Sequence, residues 1–172
     1  MEKVLELLNR MQAERIIEKF AIGGGIAAIY YLEAYSTDDI DVFISPVVIG
    51  DAGLISFEHV YRYLQEQGYH PEKEYIRIED WLVQFVPASE SVQEEAIANA
   101  RRVTFGATYT FIFSAEHLAV ELLRSGRRKD NERVAALIES GQMDLKLFRD
   151  IIQRNGLIDK WEKFAARYDL EV

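Results

Sequence analysis

The first part of the chain combines apolar positions at helical spacing with short apolar runs. Apolar residues recur at helical spacing between Val4 and Met11, which predicts an amphipathic helix. The apolar residues 20–22 predict a short strand, and the apolar run 26–35 predicts a buried helix. Alternation over 39–44 predicts a second strand. Helices and strands mixed in this way are typical of an α/β (α+β) fold.

The middle of the chain predicts two hairpins and two further helices. Residues 46–53 carry no periodic pattern and predict a loop. Ser56 is placed to cap a helix that ends near Gly68. Residues 75–86 predict a hairpin. Ser91 stands at capping-box spacing before a helix to about Ala100, and residues 103–113 predict a second hairpin.

The character of the sequence changes after Ser114. Four helical patterns follow, separated at Ser125-Gly126, Ser140-Gly141 and Asn155-Gly156. We therefore predict a small mixed sheet in a core at 1–113, and a helical region at 114–172 that packs on this core.

Composition limits the possible chemistry. An apolar fraction of 49% over 172 residues supports one domain with a sizeable core. The chain has no cysteine, which excludes disulfides, thiolate zinc sites and cysteine nucleophiles. It shows no signal-peptide core and no membrane-length apolar run, so we expect a cytoplasmic protein without a membrane partner. A net charge of −9 disfavours extended, nonspecific nucleic-acid binding.

Two aspartates and a glycine triplet are the candidate residues for a functional site. Asp39 and Asp41 alternate along the predicted strand, so their side chains share one side. Close carboxylates repel each other unless a cation lies between them, and Mg²⁺ shares oxygen ligands with substrate phosphates. The glycines 23–25 open a helix whose N–H groups attract an anion. Solvated carboxylates and a merely tight turn are the plainer interpretations that remain open.

This order of motifs resembles the nucleotidyltransferase superfamily, which includes DNA polymerase beta and the minimal nucleotidyltransferases. The likeness is closer to the AbiE-type toxin branch, in which Gly-Gly-x-Ala lies shortly before a Ser/Thr-x-Asp-Ile-Asp strand. The matching residues here are Gly24, Gly25, Ala27, Thr37, Asp39, Ile40 and Asp41. The resemblance continues through 83–87, 116–118 and 126–130, and so covers most of the chain.

The resemblance implies a sheet of nucleotidyltransferase type and gives several residues a role. Asp39 and Asp41 are expected to be catalytic and to hold Mg²⁺ or Mn²⁺. The residues expected to contact the nucleotide are Gly24, Gly25, Thr37, Arg124 and Lys129. Thr37 has an alternative role as the cap of the turn. Asp130 also matches the family, with capping of the next helix as its alternative.

Two positions depart from the pattern of active relatives. Their third carboxylate lies on a later strand, and the matching position here is Gln84. A glutamine oxygen binds a cation, yet the amide is uncharged and accepts no proton at neutral pH. Glu79 and Asp80 are alternative carboxylates in the nearby turn. Relatives often carry lysine where this chain has Glu121, which would repel phosphate.

The sequence therefore gives three hypotheses for function. The leading one is a protein that binds a nucleoside triphosphate with Mg²⁺ and transfers a nucleotidyl group to a hydroxyl of RNA, protein or a small molecule. The second keeps the fold without the catalysis, as a nucleotide-binding component of a toxin–antitoxin pair with a cognate partner. The third is a structural or interaction protein with a vestigial acidic pair.

Overall fold

The computed structural model describes residues 1–32, 35–45, 48–49, 54–55 and 57–170. Within these residues the helices are α1(Glu2–Ala13), α2(Gly24–Leu32), α3(Glu58–Glu66), α4(Ser91–Ala98), α5(Ala115–Ser125), α6(Arg128–Glu139), α7(Leu145–Arg154) and α8(Ile158–Tyr168). The strands are β1(Phe20–Ile22), β2(Asp39–Ile44), β3(Val48–Ile49), β4(Leu54–Ile55), β5(Pro71–Glu72), β6(Tyr75–Ile78), β7(Trp81–Pro87), β8(Arg101–Phe105) and β9(Thr108–Ile112).

Seven of the described strands form one mixed sheet in the order β5-β6-β7-β2-β1-β9-β8. The central strand β2 is parallel to β7 and antiparallel to β1, and β1 is parallel to β9. Both predicted hairpins are confirmed, with Ile78 opposite Trp81 in one and Phe105 opposite Thr108 in the other. The predicted strands at β1 and β2 are also confirmed. The chain therefore has the mixed α/β fold that the sequence predicts.

The core forms where the central strands meet the helices. Ile40 and Val42 on β2 are fully buried, whereas Asp39 and Asp41 are only partly buried. Both α2 and α4 contact β2, and α1 contacts β9. The apolar stripe of α1 is buried along its length, at Val4, Leu5, Leu7, Leu8 and Met11. Each such side chain contributes about 1.5–3 kcal/mol when it leaves water, so these contacts hold the helices against the sheet.

The four helices predicted after Ser114 are confirmed as α5 to α8. The first of them, α5, contacts α2 and α4 as well as α6, α7 and α8. It therefore connects the helical region to the sheet. The division into a core at 1–113 and a helical region at 114–172 stays a prediction. In the described part of the chain, no helix is long and apolar enough to cross a membrane.

Two element boundaries differ from the predicted ones. Ser91 is the first residue of α4 rather than its cap, because the capping box is one residue earlier: Gln93 Oε1 accepts from Glu90 N–H at 3.3 Å. The helix predicted over 26–35 begins two residues earlier, at Gly24, and is described as far as Leu32, and Tyr35 is not helical.

The prediction of an unbroken loop at 46–53 was wrong in part. Val48–Ile49 is a strand, and it pairs with Leu54–Ile55 in a separate two-stranded sheet. The two β-branched residues at 48–49 are common in strands, but so short a run gives no periodic signal. Ser56, predicted as a helix cap, lies outside the described residues.

Candidate functional site

Asp39 and Asp41 lie on the central strand of the sheet. Because Ile40 and Val42 are fully buried, alternation places both carboxylates together on the opposite side of β2. The parallel register of β2 and β7 puts Gln84 directly opposite Asp41, so their side chains share this side. Gln84, at which the resemblance predicts the third carboxylate position, is therefore adjacent to the aspartate pair, and that equivalence stays a prediction.

A tyrosine that the sequence did not single out completes this row. The antiparallel register of β6 and β7 brings Tyr75 alongside Gln84. The pKa of Tyr75 is raised, first by burial and then by the negative charge of Asp39, with a smaller effect of Asp41. Tyr75, Gln84 and Asp41 thus stand in a row across three adjacent strands. The predicted hairpin places Tyr75 beside Gln84, but only the pairing of β7 with β2 brings both of them next to Asp41.

The glycine turn packs the start of α2 against the aspartates. Gly23 N–H donates to the Asp41 carbonyl at 3.0 Å, and Gly24 has a φ of +52°. A Cβ on Gly24 would overlap Asp41 Oδ2, and one on Gly25 would lie 2.7 Å from Thr37 Oγ1. This close approach requires glycine at both positions. The first turn of α2, with its unpaired N–H groups and positive end, therefore lies beside Asp41.

Thr37 orients the first aspartate. Its Oγ1 donates to Asp39 Oδ1. Asp39 Oδ2 and both Asp41 oxygens have no hydrogen-bond partner among the residues that the structure describes. Three carboxylate oxygens on one side of the strand are thus left for a cation or a donor. The predicted contact of Thr37 with phosphate stays a prediction.

The environment of Asp41 disfavours its negative charge. Burial raises its pKa most, and the neighbouring charge of Asp39 raises it further. The cationic groups of Arg127 and Lys129 act in the opposite direction. A buried carboxylate beside a second one is stabilised by a bound cation, which attracts both charges.

Arg127 is a cation of this site that the sequence analysis did not select. The fully buried carboxylate of Asp130 accepts from Arg127 Nε at 2.6 Å and from the Ser125 hydroxyl. The hydrogen bond to Asp130 raises the pKa of Arg127, and the charges of Asp41 and Asp39 add to it. The two Nη groups of Arg127 have no partner within the described part of the chain.

Asp130 does not cap its helix, contrary to the alternative that the sequence left open. It is the third residue of α6, and its side chain holds Arg127 instead of a backbone N–H. Arg133 Nη1 approaches the same carboxylate at 3.5 Å. A buried charge is tolerated only when it is paired, and these two guanidinium groups supply the pairing.

The two basic side chains that were predicted to contact the nucleotide lie in different surroundings. Lys129 is exposed, and its charge acts on Asp41, so it lies near the predicted site. Arg124 forms an ion pair with Glu121 at 2.8 Å, and Gln93 also donates to Glu121 at 3.0 Å. Glu121 is therefore neutralised by its own neighbour rather than left to repel phosphate. The predicted contact of Arg124 with the nucleotide stays a prediction.

The residues present suit a divalent cation shared with a ligand. Among the described residues, no group of three or more His, Cys, Asp or Glu side chains is placed to hold a metal alone. Two carboxylates with free oxygens nevertheless match Mg²⁺, which commonly takes one or two protein carboxylates, several waters and substrate phosphates. The alternative carboxylate Glu79 is engaged with Lys3 at 2.7 Å.

Solved structures with a similar fold are nucleotidyltransferase-like. An antigenic nucleotidyltransferase-like protein from Paracoccidioides brasiliensis is 15% identical, with a TM-score of 0.53 over 99% of this chain and 92% of that chain. The solution structure of the antibiotic-resistance factor ANT(2″)-Ia is 17% identical, with a TM-score of 0.53 over 98% of this chain and 96% of that chain.

The crystal structure of ANT(2″)-Ia with adenylyl-2″-tobramycin is 18% identical, with a TM-score of 0.53 over 96% of this chain and 99% of that chain. No protein-family model matches the sequence, and the search of curated proteins found no match. The closer likeness to the AbiE-type branch stays a prediction. The chain therefore has a fold of the nucleotidyltransferase type, as the resemblance predicted.

Proposed function

We propose that the protein transfers a nucleotidyl group from a nucleoside triphosphate to a hydroxyl group, with Mg²⁺ or Mn²⁺ held by Asp39 and Asp41. The observation that carries this proposal is the contact between Gly24 and Asp41. It sets the positive end of α2, which suits phosphate, directly beside carboxylates, which suit a metal. An anion site next to a cation site is what a metal-bound triphosphate requires.

Each residue of the site has a distinct role in this proposal. The N–H groups at the start of α2, together with Arg127 and Lys129, bind the triphosphate oxygens. Thr37 orients Asp39 through Oδ1, and Asp39 Oδ2 and the Asp41 carboxylate would hold the metal. The bound metal neutralises negative charge on the phosphoryl group that is transferred. Asp130 holds Arg127 by its Nε and leaves both Nη groups for phosphate.

The acceptor that we favour is a hydroxyl on a small molecule or on a protein. A net charge of −9 disfavours a long RNA acceptor, because nucleic-acid binding depends on cations that neutralise phosphates. ANT(2″)-Ia, which has a similar fold, was crystallised with adenylyl-2″-tobramycin, so this type of fold accommodates a small-molecule product.

A second candidate is a nucleotide-binding module with little or no transfer. The observation that favours it is Gln84 opposite Asp41, where an amide replaces the third carboxylate. Loss of a general base lowers a rate by about 10²–10⁴-fold without removing metal-dependent binding. The module would still bind the triphosphate through Arg127, Lys129 and the glycine turn.

One experiment separates these functions. Calorimetric titration with each common nucleoside triphosphate, with and without Mg²⁺, measures binding. Transfer of label from the α-phosphate to cell extract, separated into RNA, protein and small molecules, measures turnover. Mg²⁺-dependent binding with transfer supports the enzyme, and binding without transfer supports the module. Absence of binding to every triphosphate contradicts both.

Gln84→Glu is expected to raise transfer by about 10²-fold, at the lower end of what a general base contributes. The new carboxylate would stand opposite Asp41 and would bind a second metal more tightly. The rate is measured against Mn²⁺ and Mg²⁺ concentration. Gln65→Glu adds the same charge at an exposed position of α3 and should leave the transfer rate unchanged. If native transfer is fast and Gln84→Glu does not increase it, position 84 is not the missing base, and Glu79 or Asp80 must be considered again.

Arg127→Met is expected to weaken triphosphate binding about tenfold or more, because one hydrogen bond to a charged group contributes about 1.5–3 kcal/mol. The matched control is Arg128→Met, since Arg128 is 88% exposed and pairs with Glu132. Calorimetry gives both dissociation constants, and circular dichroism checks the fold. Equal affinities of the two variants would remove Arg127 from the proposed site.

A further inference from the structure

A groove between α8 and the connection from α5 to α6 gathers three basic side chains. Its volume is about 200 Å³, and Lys160, Lys163 and Arg167 line it. No acidic side chain is among the lining residues that the structure describes. The whole chain, in contrast, has 29 acidic and 20 basic residues and a net charge of −9. This basic groove therefore has the opposite charge to the protein as a whole.

The helical spacing of the three cations brings them together. They stand at positions i, i+3 and i+7 of α8, and such residues share one side of a helix. Asp159 and Glu162 belong to the same helix but do not line the basic groove. Buried Phe164 and Leu123 also line it and give it an apolar floor. The fold thus separates the cations of α8 from its acidic residues.

Two of these cations have no carboxylate partner. Lys163 and Arg167 are exposed, and within the described part of the chain neither forms an ion pair. Arg167 approaches only the ring of Tyr168, at 6.0 Å. Lys160 Nζ donates to the Arg124 carbonyl at 2.6 Å, which uses one of its three N–H donors. The arginines of α5 and α6, by contrast, each pair with a carboxylate. Positive charge is therefore left over in the basic groove.

The charge, the donors and the size of the basic groove indicate a compact anion with several charges. Ammonium and guanidinium groups donate charge-assisted hydrogen bonds to phosphate oxygens. A single carboxylate has only two oxygens, whereas a chain of phosphates presents an oxygen to each cation. Pockets for drug-sized ligands have volumes of about 300–1,000 Å³, so a groove of about 200 Å³ suits a phosphate chain rather than a whole nucleotide.

The basic groove is distinct from the proposed nucleotide site. Asp39 and Asp41 do not line it. Arg127 follows Gly126 of the groove wall, but its Nε donates to Asp130, and the charges of the two aspartates act on it. An anion in the basic groove is therefore a second ligand, and its binding needs neither the aspartates nor a metal.

We propose that the basic groove binds a small molecule with two or more linked phosphate groups, through Lys160, Lys163 and Arg167. Lys163 and Arg167 supply unpaired charge, and Lys160 adds its remaining N–H donors. Two sources have this chemistry, namely a free inorganic phosphate chain and the phosphate end of a nucleotide. In the second case the sugar and base would lie outside the groove, because its volume holds only the phosphates.

Calorimetry without divalent metal tests the class of ligand. Inorganic triphosphate should bind at least about tenfold more tightly than inorganic phosphate, because it engages more charge-assisted hydrogen bonds. Its affinity should fall as NaCl rises, since salt screens exposed charges. Adenosine triphosphate distinguishes the two sources. An affinity at least equal to that of inorganic triphosphate identifies a nucleotide, and a lower one identifies the free chain. A glutamate-rich peptide that binds more tightly than both would overturn the proposal in favour of an acidic protein partner.

A double variant and a control of equal charge test the location. Lys163→Gln with Arg167→Gln should weaken inorganic triphosphate at least about tenfold, because two charge-assisted hydrogen bonds are lost. Lys146→Gln with Arg149→Gln removes the same charge from exposed positions of α7 outside the groove, and its affinity should stay within about twofold of the native value. Lys160 is left in place because it holds the end of α5.

Amide spectra of the native protein locate the ligand without any substitution. Inorganic triphosphate should shift the ¹H–¹⁵N signals of Gly126, Asn131 and residues 160–167, which form the basic groove. Absence of saturable binding, equal weakening by both double variants, or shifts centred on Gly24 and Asp41 would each overturn the proposal.

The basic groove and the proposed nucleotide site can fail separately. Arg127→Met should keep metal-free binding of inorganic triphosphate, because Arg127 does not line the basic groove. Loss of that binding in Arg127→Met would place the anion at the nucleotide site and overturn this inference. Lack of Mg²⁺-dependent nucleotide binding would contradict the proposed function and leave the result for the basic groove unchanged.

Discussion

Replacing Asp39 and Asp41 together by asparagine is expected to abolish Mg²⁺-dependent triphosphate binding and to lower any transfer by at least about 10³-fold. A catalytic metal supplies several kcal/mol of stabilisation to the transition state, and each 1.36 kcal/mol is a factor of about ten. Asparagine keeps the shape of each side chain and removes its charge. Calorimetry measures the binding. Thermal unfolding in rising Mg²⁺ or Mn²⁺ measures the stabilisation that a bound ion gives to the folded state.

The control for this variant is next to the pair. Asp38 is exposed, and alternation places its side chain on the other side of the strand, so Asp38→Asn removes one charge without touching the site. It should keep full metal-dependent stabilisation. A double variant of Asp39 and Asp41 that is still stabilised by Mg²⁺ as the native protein is would refute the metal site.

The single change Asp41→Asn is expected to stabilise the metal-free protein at neutral pH. The folded-state pKa of Asp41 is raised above its ordinary value of 3.8, mainly by burial. The folded state therefore binds this proton more tightly, and native stability falls as the pH rises from 3.8 through the folded-state pKa. Asparagine has no such dependence. Chemical unfolding at several pH values should show the advantage of Asp41→Asn disappearing toward low pH.

The loss of metal binding and the gain in metal-free stability both follow from the closeness of the two carboxylates. Asp39 and Asp41 repel each other, and burial beside the start of α2 disfavours the charge of Asp41. A protein that gained only stability from this strand would not keep both carboxylates there. Such strain is typical of sites where function needs unfavourable groups close together.

Local pattern was enough to predict the aspartate strand and its side of the sheet. Alternation depends only on strand geometry, and it placed Asp39 and Asp41 on one side of β2. That Gln84 on β7 shares this side follows from the register of the two strands, which the sequence left open. The two hairpins were predictable because each turn has two residues between alternating runs. The glycine turn followed by this strand was the main basis of the resemblance to the nucleotidyltransferase superfamily, and the resemblance predicted the fold.

Contacts between distant segments could not be predicted from the sequence. Asp130, three residues later, holds Arg127 by its Nε, and the charges of Asp41 and Asp39 act on this arginine. Tyr75 and Gln84 approach the aspartates only because β7 pairs with the distant strand β2. The neutralisation of Glu121 by Arg124 depends on rotamers at i and i+3, which the sequence allows but does not require.

Gly24→Ala is expected to destabilise the protein by about 2–5 kcal/mol and to remove metal-dependent triphosphate binding. The left-handed conformation at Gly24, with φ of +52°, costs a residue with a Cβ about 1–2 kcal/mol. Crowding in a packed site typically adds about 1–3 kcal/mol. The new methyl group would overlap Asp41 Oδ2, so either α2 or the carboxylate must move. Denaturant unfolding measures the first effect and calorimetry the second.

Gly141→Ala separates the two causes. Gly141 also has a positive φ, of +67°, but a Cβ there would meet nothing within 4 Å. The free energy of unfolding of this variant should fall only by the cost of the positive φ, about 1–2 kcal/mol, and its triphosphate binding should be normal. The difference between Gly24→Ala and Gly141→Ala therefore measures the contact of α2 with Asp41. Equal destabilisation, with native nucleotide affinity in both variants, would show that the approach of Gly24 to Asp41 is neither tight nor part of a phosphate site.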